Sequence, residues 1–231
     1  MPHRNSCKAS DRLAYTTLLQ MKKQMAEQIT IHAWIRLAWI TGLTSVACYF
    51  GAALLPLPDV LGQLLAFAFG PLLSVSFLGL YRYFSVHRDG PLLQVACLMG
   101  IIAGTMVTMM LVLQVGNNMV RVETLAAADS DSAREAAHLA WRAVDRVQYL
   151  VDVVWDIFIC SATALLGIVM WSHPHFGKIW GGLGTLAGLT LLVLNLQTFP
   201  IPPANAGSVD LGPVVALWMS AVFIRMIILK K

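Results

Sequence analysis

Hydrophobic positions along the chain gather into six long runs: Leu37–Leu55, Val60–Tyr81, Leu92–Val115, Tyr149–Trp171, Ile179–Phe199 and Gly212–Leu229. Each is near the ~20 residues that a hydrocarbon core of roughly 30 Å requires of a helix rising about 1.5 Å per residue. The runs lack period-two alternation and are too long for barrel strands. Inside a bilayer every backbone N–H and C=O must be paired within its own segment, so helix is the predicted state. The pattern predicts an all-α polytopic membrane protein, a six-transmembrane-helix bundle over residues 31–231. The last run is the shortest and carries Arg225 near its end, where a long side chain reaches the interface. Composition agrees, with 58% hydrophobic and 12% charged residues against about 25% charged in soluble domains.

The polar stretches between the runs carry their own signals. Ala14, Leu18, Met21, Met25, Gln28 and His32 recur at helical spacing, which predicts a cytoplasmic amphipathic helix within residues 1–30. It suits the membrane interface, a partner, or the bundle's own surface. The polar start, with no early apolar core or small-residue cleavage site, predicts an uncleaved first span that acts as an anchor. Gly70-Pro71 predicts a bend in the second span. The sizeable loop is 117–148. Within it, Ser132-x-x-Glu135 reads as a capping box that starts one long helix running to Trp171. Prolines in Leu55–Asp59 and Pro200–Gly207 predict tight or stiff connections. Ala96, Gly100, Gly104 and Thr108, and then Gly181, Gly184 and Gly188, form small-residue faces. Such faces allow close helix approach, within the chain, between copies or to a protein partner.

Charge sets the expected orientation. With the N-terminus inside, twelve of the sixteen Lys and Arg fall on the inner side; Arg121, Arg134, Arg142 and Arg146 fall outside. The positive-inside rule then places both termini in the cytoplasm. The net charge of +4 is a topology signal, and no basic face with base-stacking groups marks a nucleic-acid binder. The four cysteines share no short spacing, so they read as packing residues rather than a disulfide or zinc framework. His87, His173 and His175 sit near the inner surface, where surface histidines are commoner than metal ligands. No histidine lies mid-span to hold a haem. No phosphate loop, nucleophile elbow or metalloprotease motif occurs. Neither a metal nor a cofactor is expected.

One constellation carries chemistry. On the long fourth helix, Glu135, His138, Arg142, Asp145, Tyr149, Asp152 and Asp156 share a face that enters the membrane. Asp156 would lie about 10 Å below the interface, where a carboxylate must face protein or water. The same level receives Gln63 from the second span, Gln114 and Asn117 from the third, Asn195 and Gln197 from the fifth and Asp210 before the sixth. Nine of the twelve acidic residues fall on this outer side. The expected site is an acidic, amide-lined outer vestibule of Asp152, Asp156, Asn195, Gln197, Gln114, Asn117, Gln63 and Asp210. Such groups bind hard cations, ammonium groups or protons and lack the soft ligands of transition-metal sites. The alternative is interhelical hydrogen bonding, with Arg142 or Arg146 as counter-charge.

Val154-Trp-Asp-Ile-Phe158, Pro174-His-Phe-Gly177, Gly181-Gly-Leu-Gly184, Leu194-Asn-Leu, Thr198-Phe-Pro-Ile-Pro-Pro203 and Val209-Asp-Leu-Gly-Pro213 resemble a domain-of-unknown-function family of bacterial six-span membrane proteins. The resemblance covers about the last 80 residues, with the remainder similar only in layout. It implies a six-helix fold in the cell inner membrane and no particular activity. Three classes stay open. The first is an accessory or partner-binding subunit. The second is a small carrier or binding protein for a cation, amine or proton. The third is a membrane-embedded enzyme acting on a lipid or isoprenoid, with Asp152 and Asp156 as acid and base.

Overall fold

Apolarity and helix propensity set different boundaries in this chain, and propensity reaches further. The computed structural model describes residues 3–229, with side chains from residue 20 onward except 24 and 26–28. Its helices are α1 (His3–Leu54), α2 (Asp59–Ser85), α3 (Pro91–Ala127), α4 (Asp131–Met170), α5 (Gly177–Thr198) and α6 (Gly212–Ile228). Five of these contain segments long and apolar enough to cross a membrane, and α6 is a shorter apolar helix of 17 residues. Ile179, Leu186 and Leu217 are 77%, 66% and 64% exposed. Large side chains turned outward this way need lipid, not water, as their solvent. The chain is an integral multi-pass membrane protein.

Two boundaries depart from the sequence expectation. The N-terminal segment and the first apolar run form one helix of 52 residues, with no break at residue 30. On its predicted stripe Met21, Met25 and His32 are exposed, so these positions do not pack on the bundle. The side chains of Ala14, Leu18 and Gln28 lie outside the described residues.

The second departure is the first part of the expected loop 117–148, which is helical as far as Ala127; the long helix expected from Ser132 to Trp171 is present as α4. The α3 helix continues to Ala127 and α4 begins at Asp131, so residues 128–130 alone connect them. Helices of 37 and 40 residues reach roughly 55 and 60 Å, well beyond the hydrocarbon thickness. No Gly or Pro occurs between Gly116 and Gly167, so helix propensity persists after apolarity ends. The cap of α4 is Ser130, whose Oγ accepts from the Ala133 N–H at 3.3 Å, rather than Ser132. The α2 helix runs through Pro71 without interruption.

Each helix packs on the next, and α6 returns to α1, which closes the order into a ring. Missing side chains make the close approaches. Gly70 meets Gly104 and Thr108 across the α2–α3 contact, and Gly167 meets Gly181 and Thr185 across α4–α5. Gly42 receives the Phe223 ring and Gly184 the Trp218 ring. The glycine faces are thus filled from within the chain, and at these positions no surface remains for a second copy or a partner. One end of the bundle is solid: Phe77, Phe84, Leu80, Leu166, Met170 and Phe223 are fully buried there. Toward the other end the ring is hollow.

Candidate functional site

The hollow is built around α4. Asp145, Tyr149, Asp152 and Asp156 recur at spacings of three and four, so they present to one side. That side lines a cavity of about 490 Å³. All six helices contribute to its wall, among them Tyr49 of α1, Phe69 of α2, Gln114 of α3, Leu191 of α5 and Met219 of α6. The α5–α6 connection closes over it. Pro202 and Pro203 are buried there, Asn205 Nδ2 donates to the Tyr149 hydroxyl at 3.2 Å, and the Gly212 N–H donates to Asp210 Oδ1 at 2.7 Å. Its volume falls in the range of small-molecule sites.

The electrostatics are one-sided. Asp145, Asp152, Asp156 and Asp210 line the cavity, and among the described residues no lysine, arginine or histidine does. Asp156 is 7% exposed. Among the described residues the ion pair is Arg134 with Asp131, on the surface at 3.5 Å, so no arginine pairs with Asp152 or Asp156. The nearby arginines turn to other partners. Arg142 Nε donates to the His138 carbonyl, Arg121 stacks 4.2 Å from the Trp141 ring centroid, and Arg146 lies 6.0 Å from that of Tyr149. The arginine counter-charge weighed from the sequence is therefore not made.

The expected site residues divide. Asp152, Asp156, Asp210 and Gln114 line the cavity together. Asn195 is fully buried and does not line the cavity; its Nδ2 donates to the Leu191 carbonyl at 3.1 Å, and its Oδ1 has no partner. Asn117 faces α4 instead, donating to the Trp141 carbonyl at 3.2 Å. Gln63 reaches Met119 Sδ at 3.6 Å, and Gln197 is exposed; neither lines the cavity. Sequence reasoning passed over the aromatic wall. Tyr49 and Phe69 lie 5.0 Å apart and Phe69 and Trp155 6.3 Å apart, centroid to centroid. Trp141, Gln148 and Trp155 repeat every seven residues on α4, a seam that would have shown them. Gln148 is buried beside Met110.

At the opposite end, His87, His173 and His175 lie with ring centroids 4.4, 5.8 and 5.7 Å apart. Tyr83, Phe84 and Phe176 pack around His173. Burial and the two neighbouring imidazoles push His173 down to about 4, so it is neutral at physiological pH. Arg225 Nε donates to the His175 carbonyl at 2.7 Å. Among the described residues no three His, Cys, Asp or Glu side chains are placed to hold a metal ion. This end is an aromatic and imidazole packing cluster.

No family model, curated protein or solved structure matches the chain.

Proposed function

We propose that this protein binds a small cationic molecule in the acidic cavity, as a carrier or membrane-bound binding protein. Six membrane spans, both termini in the cytoplasm and a bacterial inner-membrane location complete the reading. The cavity then opens on the outer side. The positive-inside bias supports that orientation, and the resemblance of the C-terminal third to a six-span bacterial family supports the location.

One observation carries the reading: four carboxylates line a cavity otherwise walled by apolar, aromatic and amide side chains, with no basic side chain among the described residues. In a low-dielectric wall such charges focus the local potential and concentrate cations. The accessory-subunit reading draws on the helical hairpin that extends past the apolar segments, with Val122 and Leu139 exposed on it. The glycine faces no longer add to that reading, because the chain itself fills them. The enzyme reading rests on the same two aspartates and adds no observation of its own.

Charge selectivity tests this without knowledge of the ligand. A cysteine is introduced by Gln114→Cys in a protein otherwise free of cysteine. It is then reacted with positively and negatively charged thiosulfonate reagents of similar size. The cationic reagent is expected to react at least about tenfold faster, and Asp152→Asn with Asp156→Asn to remove the preference. Equal rates in the unsubstituted cavity would refute cation binding.

A further inference from the structure

Building on the cation-binding reading, we infer that the ligand is an aliphatic diamine or polyamine rather than a metal ion or a single-charge ammonium. The argument starts from how the carboxylates are spaced. Asp152 and Asp156 stand one turn apart on α4, about 6 Å along its axis, and Asp145 lies about 10 Å further along the same helix. Asp210 enters from the α5–α6 connection. The four acids are strung along the cavity, and among the described residues no three of them converge as metal ligands. A compact divalent ion needs several oxygens within one coordination sphere. A single ammonium beside buried Asp156 would leave Asp152, one turn away on the same wall, without a partner. A flexible chain carrying separated ammonium groups matches the row, because one helical turn is also the scale of an extended four-carbon diamine.

The wall between the acids suits the rest of such a molecule. Tyr49, Phe69 and Trp155 form a run of ring contacts along the cavity. Aromatic faces pack against methylene groups and attract the adjoining cations. The rim already shows that chemistry, with the Arg121 guanidinium over the Trp141 ring. At the deep end stands Asp156, 7% exposed and on the cavity wall, with no cationic side chain paired to it among the described residues. An ammonium group brings three donors and no acceptor, which suits this acceptor-only carboxylate.

The test is calorimetric titration of the purified full-length protein in lipid nanodiscs at fixed salt. The probes are 1,4-diaminobutane, n-butylamine and Mg²⁺. The two amines share one carbon chain and differ in charge number. The diamine is expected to bind at least about tenfold more tightly than the monoamine, a factor of ten in Kd for the second ion pair. Asp152→Asn should bring that ratio toward one. Asp210→Asn, at an exposed position where a folding defect is not expected, should lower it as well. Equal affinity for the two amines, or displacement of the diamine by Mg²⁺ at equal concentration, overturns the diamine inference. If the charge-selective labelling at position 114 persists in that case, the cation-binding reading stands. If no amine or Mg²⁺ binds and the labelling is also unselective, both fall.

Discussion

Asp156 poses the sharpest problem at the scale of single residues. A carboxylate that is 7% exposed with no cationic partner is costly to keep charged, and such groups stabilise a fold poorly. Were Asp156 interhelical glue, removing its charge would break a needed contact. Were it a ligand-binding group, the empty protein would tolerate the loss. Asp156→Asn keeps size and hydrogen-bonding capacity, so the unliganded bundle is expected to lose less than about 1 kcal/mol, or to gain stability. Thermal unfolding of the two proteins side by side checks this. A loss of several kcal/mol would assign Asp156 a structural role.

At the scale of the helix, contacts made by absent side chains hold neighbours together. A Cβ at Gly188 would stand 2.6 Å from the Cys160 carbonyl oxygen and 2.8 Å from the Ala164 backbone nitrogen. Both are backbone atoms that cannot turn aside. Gly188→Val is expected to force α4 and α5 apart and to cost at least about 1–3 kcal/mol. Gly62 meets nothing within 4 Å, so Gly62→Ala should be neutral or stabilise by up to about 1 kcal/mol through helix propensity. Unfolding midpoints that rank the two variants the other way would contradict the packing described for α4 and α5.

The same scale shows what could be read from the sequence. Membrane segments were legible because the bilayer imposes a length and an apolarity that few other environments ask for. The continuation of α4 was legible too, from the capping pattern at Ser132 and the lack of breakers before Trp171. That of α3 was not: beyond Val115 the helix runs in a polar setting, where hydropathy falls silent and only the absence of Gly and Pro after Gly116 speaks. Ser132 fitted a capping pattern, yet Ser130, two residues earlier, makes the bond; boundary offsets of that size are common in sequence reading. Within the site, the α4 acids were legible from their spacing. Gln197, expected to share their level, is exposed and lines no part of the cavity, because sequence gives depth along a helix more readily than rotation about it. Tyr49 and Phe69 come from helices whose apolar runs are nearly uniform, so no period marks their inward side.

At the scale of the whole molecule, neighbouring helices close a ring whose two ends differ. Phe77 and Phe223 fill one end, and the other holds the cavity under the buried Pro202 and Pro203. A solid end beneath a hollow one gives a site approached from one side. Passage across the membrane would require the packed end to rearrange, and binding would not. The central claim is that two aspartates stand unpaired on the wall of a space large enough for a ligand. An experimental density map of the ligand-free protein in nanodiscs measures this directly. The account predicts a cavity near 490 Å³ bordered by both carboxylates, with Arg121 and Arg146 lying over aromatic rings. A map in which Arg142 or Arg146 pairs with Asp152 or Asp156, or in which side chains fill the space between them, would contradict it.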